Sequence, residues 1–257
     1  MLQSLGWAAL GTGFTFLMTA LGAAMVFFFA GEPRPHFQKT LLGFAAGVMT
    51  AASVWSLLLP AIDRAAEGAL PDWLPAAGGM LLGVVFLSAL DALLPHLRRD
   101  RTWQDASWRQ TTLLMTAITL HNVPEGMAVG LAFALVSGGE GFAGAAALAM
   151  GIGIQNFPEG AAVALPLRQG GWSRPRAFVG GMLSGAVEPV FGVLAALAAA
   201  GVDPLMPWLL SFAAGAMLYV VVEELIPEMS EGKHSNVGTI SFAVGFVAMM
   251  ILDTALG

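Results

Sequence analysis

Long apolar stretches alternate along the chain with short joints that contain charged residues, glycine or proline. A helix needs about 20 apolar residues to cross the hydrocarbon core of a membrane. We therefore predict eight transmembrane helices, at about 5–30, 40–62, 74–95, 111–136, 142–167, 176–200, 205–227 and 237–256. The predicted fold class is all-α, that of a polytopic integral membrane protein whose 257 residues form a single domain.

Composition agrees with this pattern and narrows the chemistry. Hydrophobic residues make up 57% of the chain and charged residues only 11%, whereas soluble domains carry about 25% charged residues. The absence of cysteine excludes disulfides, thiolate metal sites and cysteine nucleophiles. The formal net charge of −6 argues against nucleic acid as a partner. The lipid bilayer is the partner that the composition requires.

The basic residues predict the orientation of the chain, because cytoplasmic loops are enriched in lysine and arginine. Of the eleven, only Arg64 falls in an even-numbered joint. The other ten lie in odd-numbered joints: Arg34, Lys39, Arg98, Arg99, Arg101, Arg109, Arg168, Arg174, Arg176 and Lys233. We therefore expect cytoplasmic odd-numbered loops, including the longest at about 97–110, and external positions for both termini.

Ionisable side chains inside the predicted spans are the strongest functional signal. Each costs at least about 2.5 kcal/mol to insert, so such residues default to functional candidates. Near the middle of the spans lie His121, Glu125, Glu159 and Glu188, and nearer the ends lie Asp63, Asp91, Glu223, Glu224 and Asp253. No lysine or arginine is available at mid-membrane to neutralise them, so these carboxylates must be protonated or must bind cations.

Two copies of one motif carry most of this chemistry. The fourth span contains HNVPEG, in which His121, Asn122 and Glu125 share one helical face. The fifth span repeats it as QNFPEG, with Gln155, Asn156 and Glu159 at the same positions. Because successive spans are antiparallel, the two faces can meet at similar depth.

Each motif contains a proline directly before its glutamate. Pro124 and Pro158 cannot donate to the carbonyls four residues earlier, so we expect a kink with an unpaired carbonyl in each helix. Glu188 is followed by Pro189 at mid-span. Carboxylate, imidazole and amide groups together suit zinc, and also iron, manganese or cadmium.

At these residues the sequence resembles the ZIP (Zrt/Irt-like) family of divalent-metal transporters, and more closely its bacterial GufA-like branch. The paired motifs, LLGFAAGVMTAASVWSLLLPAID in the second span, SGAVEP, VVVEELIPE and the closing FVAMMILDTALG carry the resemblance over the whole chain. It implies a multi-pass protein of the bacterial inner membrane that takes up zinc into the cytoplasm, without an organic cofactor.

The resemblance also implies roles for individual residues. A binuclear centre would use His121, Glu125, Gln155 and Glu159 for one ion, and Asn122, Asn156 and Glu188 for the second, with Glu125 and Glu159 bridging both. Metal would enter past Asp63, Asp253, Ser56 and Met49 and leave past Asp91 and Glu223 or Glu224. Many family members have histidine where this chain has Gln155. An amide oxygen is a weaker ligand than imidazole, so the resemblance leaves open whether the site prefers zinc to cadmium, iron or manganese.

Several alternatives stay open at this stage. An intramembrane metal-dependent hydrolase is the main competitor, since a metal with an open position can activate water. Only His121 lies at mid-membrane, however, and such enzymes usually need more histidines. A metal sensor, proton-driven export, and channel-like rather than elevator-like movement are further alternatives. Glycine-rich helix faces are compatible with a homodimer.

Overall fold

The structure is a computed structural model, and it describes residues 2–28, 35–68, 70–97, 119, 122–136, 141–199, 203–230 and 235–256. Every regular element within these ranges is helical, as the sequence predicts. In chain order the α-helices are α1 (Leu2–Ala23), α2 (Pro35–Ala52), α3 (Leu59–Ala66), α4 (Trp73–Leu97), α5 (122–134), α6 (Phe142–Gln169), α7 (Arg174–Gly185), α8 (Val187–Ala199), α9 (Met206–Val220), α10 (Ile226–Ser230) and α11 (Val237–Leu256).

A π-helical segment, Ser53–Leu58, joins α2 to α3 into one continuous rod. The N–H of Leu59 bonds to the carbonyl of Val54, five residues earlier, instead of four. Pro60 follows directly, and it has no N–H to donate to the carbonyl of Ser56. The wider turn therefore comes just before a proline, and such segments are frequent at functional sites. We call Ser53–Leu58 the first π-turn and Val221–Leu225 the second.

A second π-helical segment, Val221–Leu225, joins α9 to α10 in the same way. The N–H of Ile226 bonds to the carbonyl of Val221. Pro227 again follows, four residues after Glu223. Two predicted spans therefore each contain one widened turn with a candidate pathway residue on it, a feature that hydrophobic periodicity alone does not predict.

The predicted span at about 176–200 is divided in the structure. A break at Ala186 ends α7 and starts α8, so Glu188 lies in the first turn of α8 and not within a continuous helix. Pro189 occupies the same first turn, where a missing N–H is tolerated. By contrast, α6 continues as one α-helix through Pro158.

The helices pack in two groups. In the first, α1 runs along α6 and also contacts α7 and α8. In the second, α2 runs along α11 and α4 runs along α9. Glycines set the close approach within each group: Gly22 lies against the backbone of Phe157, and Gly47 against the backbone of Phe242. The contacts of α6 with α2 and α11 connect the two groups.

The distribution of polar side chains is that of a membrane protein. Six helical segments within the described ranges are long and apolar enough to span a bilayer. Large apolar side chains such as Leu81 on α4 and Val244 on α11 face outward, whereas Glu125 and Glu188 are fully buried. The six do not include α5 and α6, the helices of the HNVPEG and QNFPEG motifs, which we call the PEG motifs. The described part of α5 covers only 122–134, and α6 has polar residues at its centre.

Candidate metal centre

The two motifs meet through their side chains. The Nε2 of Gln155 on α6 donates a hydrogen bond of 2.6 Å to Oε1 of Glu125 on α5. Both side chains are completely buried. The polar faces of the two motifs, which the sequence predicts to meet, are therefore in contact through this pair.

Glu188 joins the cluster from α8. Its Oε2 accepts a hydrogen bond of 2.9 Å from Nδ2 of Asn156, and its Oε1 lies 3.3 Å from the hydroxyl of Thr19 on α1. The helix break at Ala186 places this carboxylate at the N-terminus of α8, where unpaired N–H groups favour negative charge. Residues from α1, α5, α6 and α8 therefore surround one buried polar centre.

The remaining predicted ligands lie on the same helices. Asn122 is 1% exposed at the start of α5, and Glu159 is 7% exposed on α6, one turn beyond Gln155. His121 lies outside the described residues. All the predicted ligands that the structure describes therefore lie on α5, α6 or α8, the helices that form the centre.

Several oxygens of the cluster have no hydrogen-bond donor among the described residues. They are Oδ1 of Asn122, Oε2 of Glu125, Oε1 of Gln155 and Oδ1 of Asn156. Buried oxygens are almost always paired, so each such atom calls for an explanation. A divalent cation would fit these oxygens, because carboxylate and carboxamide oxygens are the ligands that such metals bind.

Carboxylates alone do not form this centre. Within the part of the chain that the structure describes, no three histidine, aspartate or glutamate side chains converge as a metal site. Instead each of two carboxylates is paired with a carboxamide, Glu125 with Gln155 and Glu188 with Asn156. The amide side chains therefore contact the carboxylates directly and form part of the centre.

The sequence provides little positive charge near the centre. Residues 110–167 contain no lysine or arginine, and neither do α1 and α8. Three buried glutamates on α5, α6 and α8 therefore have no basic residue in these segments to neutralise them, which favours a bound cation or protonation.

The glycines of the two PEG motifs have roles that sequence reasoning missed. A Cβ on Gly126 would lie 2.5 Å from the carbonyl oxygen of Glu188, and a Cβ on Gly160 would collide with the backbone of Thr19. Each glycine therefore lets its helix touch the backbone beside the centre. The position of both glycines directly after the motif glutamate is the signal that could have found them.

The residues predicted to line the entrance are partly connected. Ser56, on the first π-turn, donates a hydrogen bond of 2.6 Å to Oδ1 of Asp253 on α11. Met49 is buried on α2, whereas Asp63 on α3 is exposed. The Ser56–Asp253 pair is thus a defined polar contact, and Asp63 lies apart from it at the surface.

The residues predicted to line the exit are less completely described. Glu223 is exposed and Glu224 half-buried, both on the second π-turn. Asp91 belongs to α4, but its side chain lies outside those described. Glu223 and Glu224 therefore differ in exposure although they are adjacent on one helical segment.

Comparison with known proteins identifies the family. The model of the ZIP zinc transporter family matches residues 98–253. The human zinc transporter ZIP11 is 38% identical, with 97% of each chain covered. The zinc transporter GufA of Myxococcus xanthus is 38% identical, covering 93% of this chain and 94% of its own.

A third relative is the zinc transporter ZIPB of Bordetella bronchiseptica, which is 39% identical and aligns over 98% of this chain and 82% of its own. All three relatives are named transporters, which supports metal transport over the intramembrane hydrolase. The family-model match covers the paired motifs, Glu188 and Asp253 on α11. The chain therefore belongs to the ZIP family of metal transporters.

Proposed function

We propose that this protein carries zinc across a bacterial inner membrane into the cytoplasm through the buried centre between α5, α6 and α8. The contact between Glu125 and Gln155 carries the proposal, because it joins the two motifs around oxygens that have no other partner among the described residues. Zinc is the ion in the names of the relatives, and cadmium, iron and manganese share its ligand chemistry.

The centre would hold two ions. His121, Glu125, Gln155 and Glu159 would bind one, and Asn122, Asn156 and Glu188 the other, with Glu125 and Glu159 shared. The support is the geometry of the pairs, since Glu125 and Glu188 each have a different carboxamide partner. Two separate carboxylate–carboxamide pairs are suited to two ions.

The proposed topology has eight transmembrane helices with both termini external. α5 and α6 would be the fourth and fifth spans, which gives an even number of crossings. A negative-inside potential favours cation entry by about 2.3 kcal/mol per charge per 100 mV. Ten of the eleven basic residues fall in loops that this topology makes cytoplasmic.

The two helix groups would move relative to each other during transport. The first group, α1 with α5 to α8, contains the centre, while the second, α2–α3, α4 and α9 to α11, carries the two π-turns. Glycine contacts are tight within the groups. An elevator-like shift of the first group along the second would then expose the centre to each side in turn.

The decisive experiment measures zinc entry into proteoliposomes loaded with a zinc-sensitive dye. We expect saturable entry with the unmodified chain and loss of at least 90% of it in Glu125→Gln, which keeps the shape and removes the charge. Glu67→Gln makes the same change at an exposed position on the α3–α4 turn and serves as the matched control.

Entry that is absent with the unmodified, correctly folded chain would refute the carrier. The direction is tested separately in cells, where expression should increase zinc content. Slower zinc accumulation on expression would instead favour export through the same centre. Assaying entry against cadmium, iron(II) and manganese as competitors then ranks the ions.

A further inference from the structure

α1 contributes a row of threonines that the proposed transport function does not use. Thr12, Thr15 and Thr19 are spaced three and four residues apart, so they lie on one face of the helix. All three are at most 1% exposed. Such hydroxyls usually bond to their own helix, and Thr12 does so, donating to the carbonyl of Ala8 at 2.7 Å.

Thr19 differs from Thr12 because its hydroxyl also reaches another helix. Its Oγ1 lies 3.3 Å from the carbonyl of Thr15 and 3.3 Å from Oε1 of Glu188. A hydroxyl has one proton to donate, and a carboxylate is the stronger acceptor of the two. The hydroxyl of Thr19 is therefore oriented towards Glu188.

The second oxygen of Glu188 is held from α6 with support from α1. The Nδ2 of Asn156 donates to Oε2 of Glu188 at 2.9 Å and lies 3.4 Å from the carbonyl of Thr15. An amide nitrogen has two protons, so both bonds can form together. Both oxygens of Glu188 thus have a partner, whereas Oε2 of Glu125 has none among the described residues.

Close packing supports this arrangement. A Cβ on Gly185 would lie 2.9 Å from Cβ, Cγ2 and Oγ1 of Thr19, and a Cβ on Gly160 would meet the carbonyl of Thr19. Glycine at these two positions lets α6 and α7 close around Thr19. The hydroxyl is therefore confined beside Glu188.

We propose that Thr19 is a positioning residue that holds the carboxylate of Glu188 in the orientation in which it binds the second metal ion. The Thr15 carbonyl acts in the same sense through Asn156. The proposal rests on the proposed function, because it requires Glu188 to be a ligand of the transported metal. The proposal makes α1 part of the centre, although none of the predicted metal ligands lies on this helix.

The test compares Thr19→Val with Thr12→Val. Both replace a buried hydroxyl by a methyl of similar shape, but the Thr12 hydroxyl stays within its own helix. Zinc binding to the full chain in nanodiscs is measured by titration calorimetry, and transport by initial rates in proteoliposomes. Loss of a partner that orients a ligand typically weakens metal binding 10–100-fold.

We expect two zinc ions to bind to the unmodified chain and to Thr12→Val. In Thr19→Val the second ion should bind at least about tenfold more weakly, with a raised KM and a nearly unchanged maximal rate. Thr19→Ser, which keeps the hydroxyl, should restore the second affinity. If Thr19→Val does not fold, the difference between Thr19→Ser and Thr19→Ala isolates the hydroxyl.

Three outcomes would overturn the proposal. They are normal affinity for both ions in Thr19→Val, equal weakening in Thr12→Val, and failure of Thr19→Ser to bind better than Thr19→Ala. Each leaves the transport function intact if the unmodified chain carries zinc. An unmodified chain that neither binds nor carries zinc would refute both the carrier and the role of Thr19.

Discussion

The side chain of Gln155 donates a 2.6 Å hydrogen bond to Glu125, so the amide of the second motif contacts the carboxylate of the first. The bond uses the nitrogen of Gln155 and leaves its Oε1 without a partner among the described residues. The amide therefore orients the glutamate with one end and presents a possible metal ligand with the other. This dual role is what a substitution at Gln155 would test.

Replacing Gln155 by alanine should weaken zinc binding about tenfold or more. A hydrogen bond to a charged group contributes about 1.5–3 kcal/mol, and its loss also removes an oxygen ligand. Gln155→His should retain binding and shift preference towards zinc over manganese, since imidazole suits zinc better than a carboxamide does. Competition titrations with both metals measure this, and an unchanged ranking would exclude Gln155 from selectivity.

Replacing Gly126 by alanine should destabilise the protein by about 1–3 kcal/mol, because overpacking in a tight core has this cost. The new Cβ would lie 2.5 Å from a backbone oxygen and 2.6 Å from Cα of Glu188, neither of which can rotate away. Gly13→Ala on α1 meets nothing within 4 Å and is the control. Thermal unfolding in detergent compares them, and equal midpoints would contradict the close packing.

Replacing Asp253 by asparagine should raise the KM for zinc and leave binding at the buried centre unchanged. Asp253 is 9% exposed and accepts a 2.6 Å hydrogen bond from Ser56, and neither residue is among the predicted ligands of the centre. If the pair lines the entrance, lost charge slows capture of the ion. Thr254→Val, whose hydroxyl bonds only within its own helix, is a neighbouring control.

The contact between the two helix groups should tolerate little added bulk. A Cβ on Gly151 of α6 would meet Sδ of Met249 on α11, near the end of a flexible side chain that is itself fully buried, so the added bulk displaces this side chain. We expect Gly151→Val to slow transport severalfold with metal binding retained, and Met249→Ala to restore part of the rate in the double variant. Rates from proteoliposomes test this, and additive losses in the double variant would count against a shared sliding contact.

The topology can be tested by labelling because the chain contains no cysteine. Single cysteines at Leu2 and at Asp105 should react differently with a membrane-impermeant maleimide in intact cells. Leu2→Cys should be labelled from outside, whereas Asp105→Cys should need permeabilised cells. Labelling of both from the same side would overturn the predicted orientation.

The sequence by itself determined the helical class, the approximate positions of six of the predicted spans and the identity of the polar motifs. These features depend on local properties: the length of apolar stretches, the cost of burying charge, and the spacing that puts Asn122 and Glu125 on one helical face. The bounds of α6 and α11 agree with prediction to within a few residues.

Only the tertiary structure decided which groups touch. Hydrophobic periodicity cannot reveal that Gln155 bonds Glu125 while Asn156 bonds Glu188, because both amides lie on neighbouring positions of one helix. Nor can it reveal Thr19 as a partner of Glu188, since 169 residues separate them. These contacts depend on how closely glycines let helices approach and where a helix breaks, and both are properties of packing between helices.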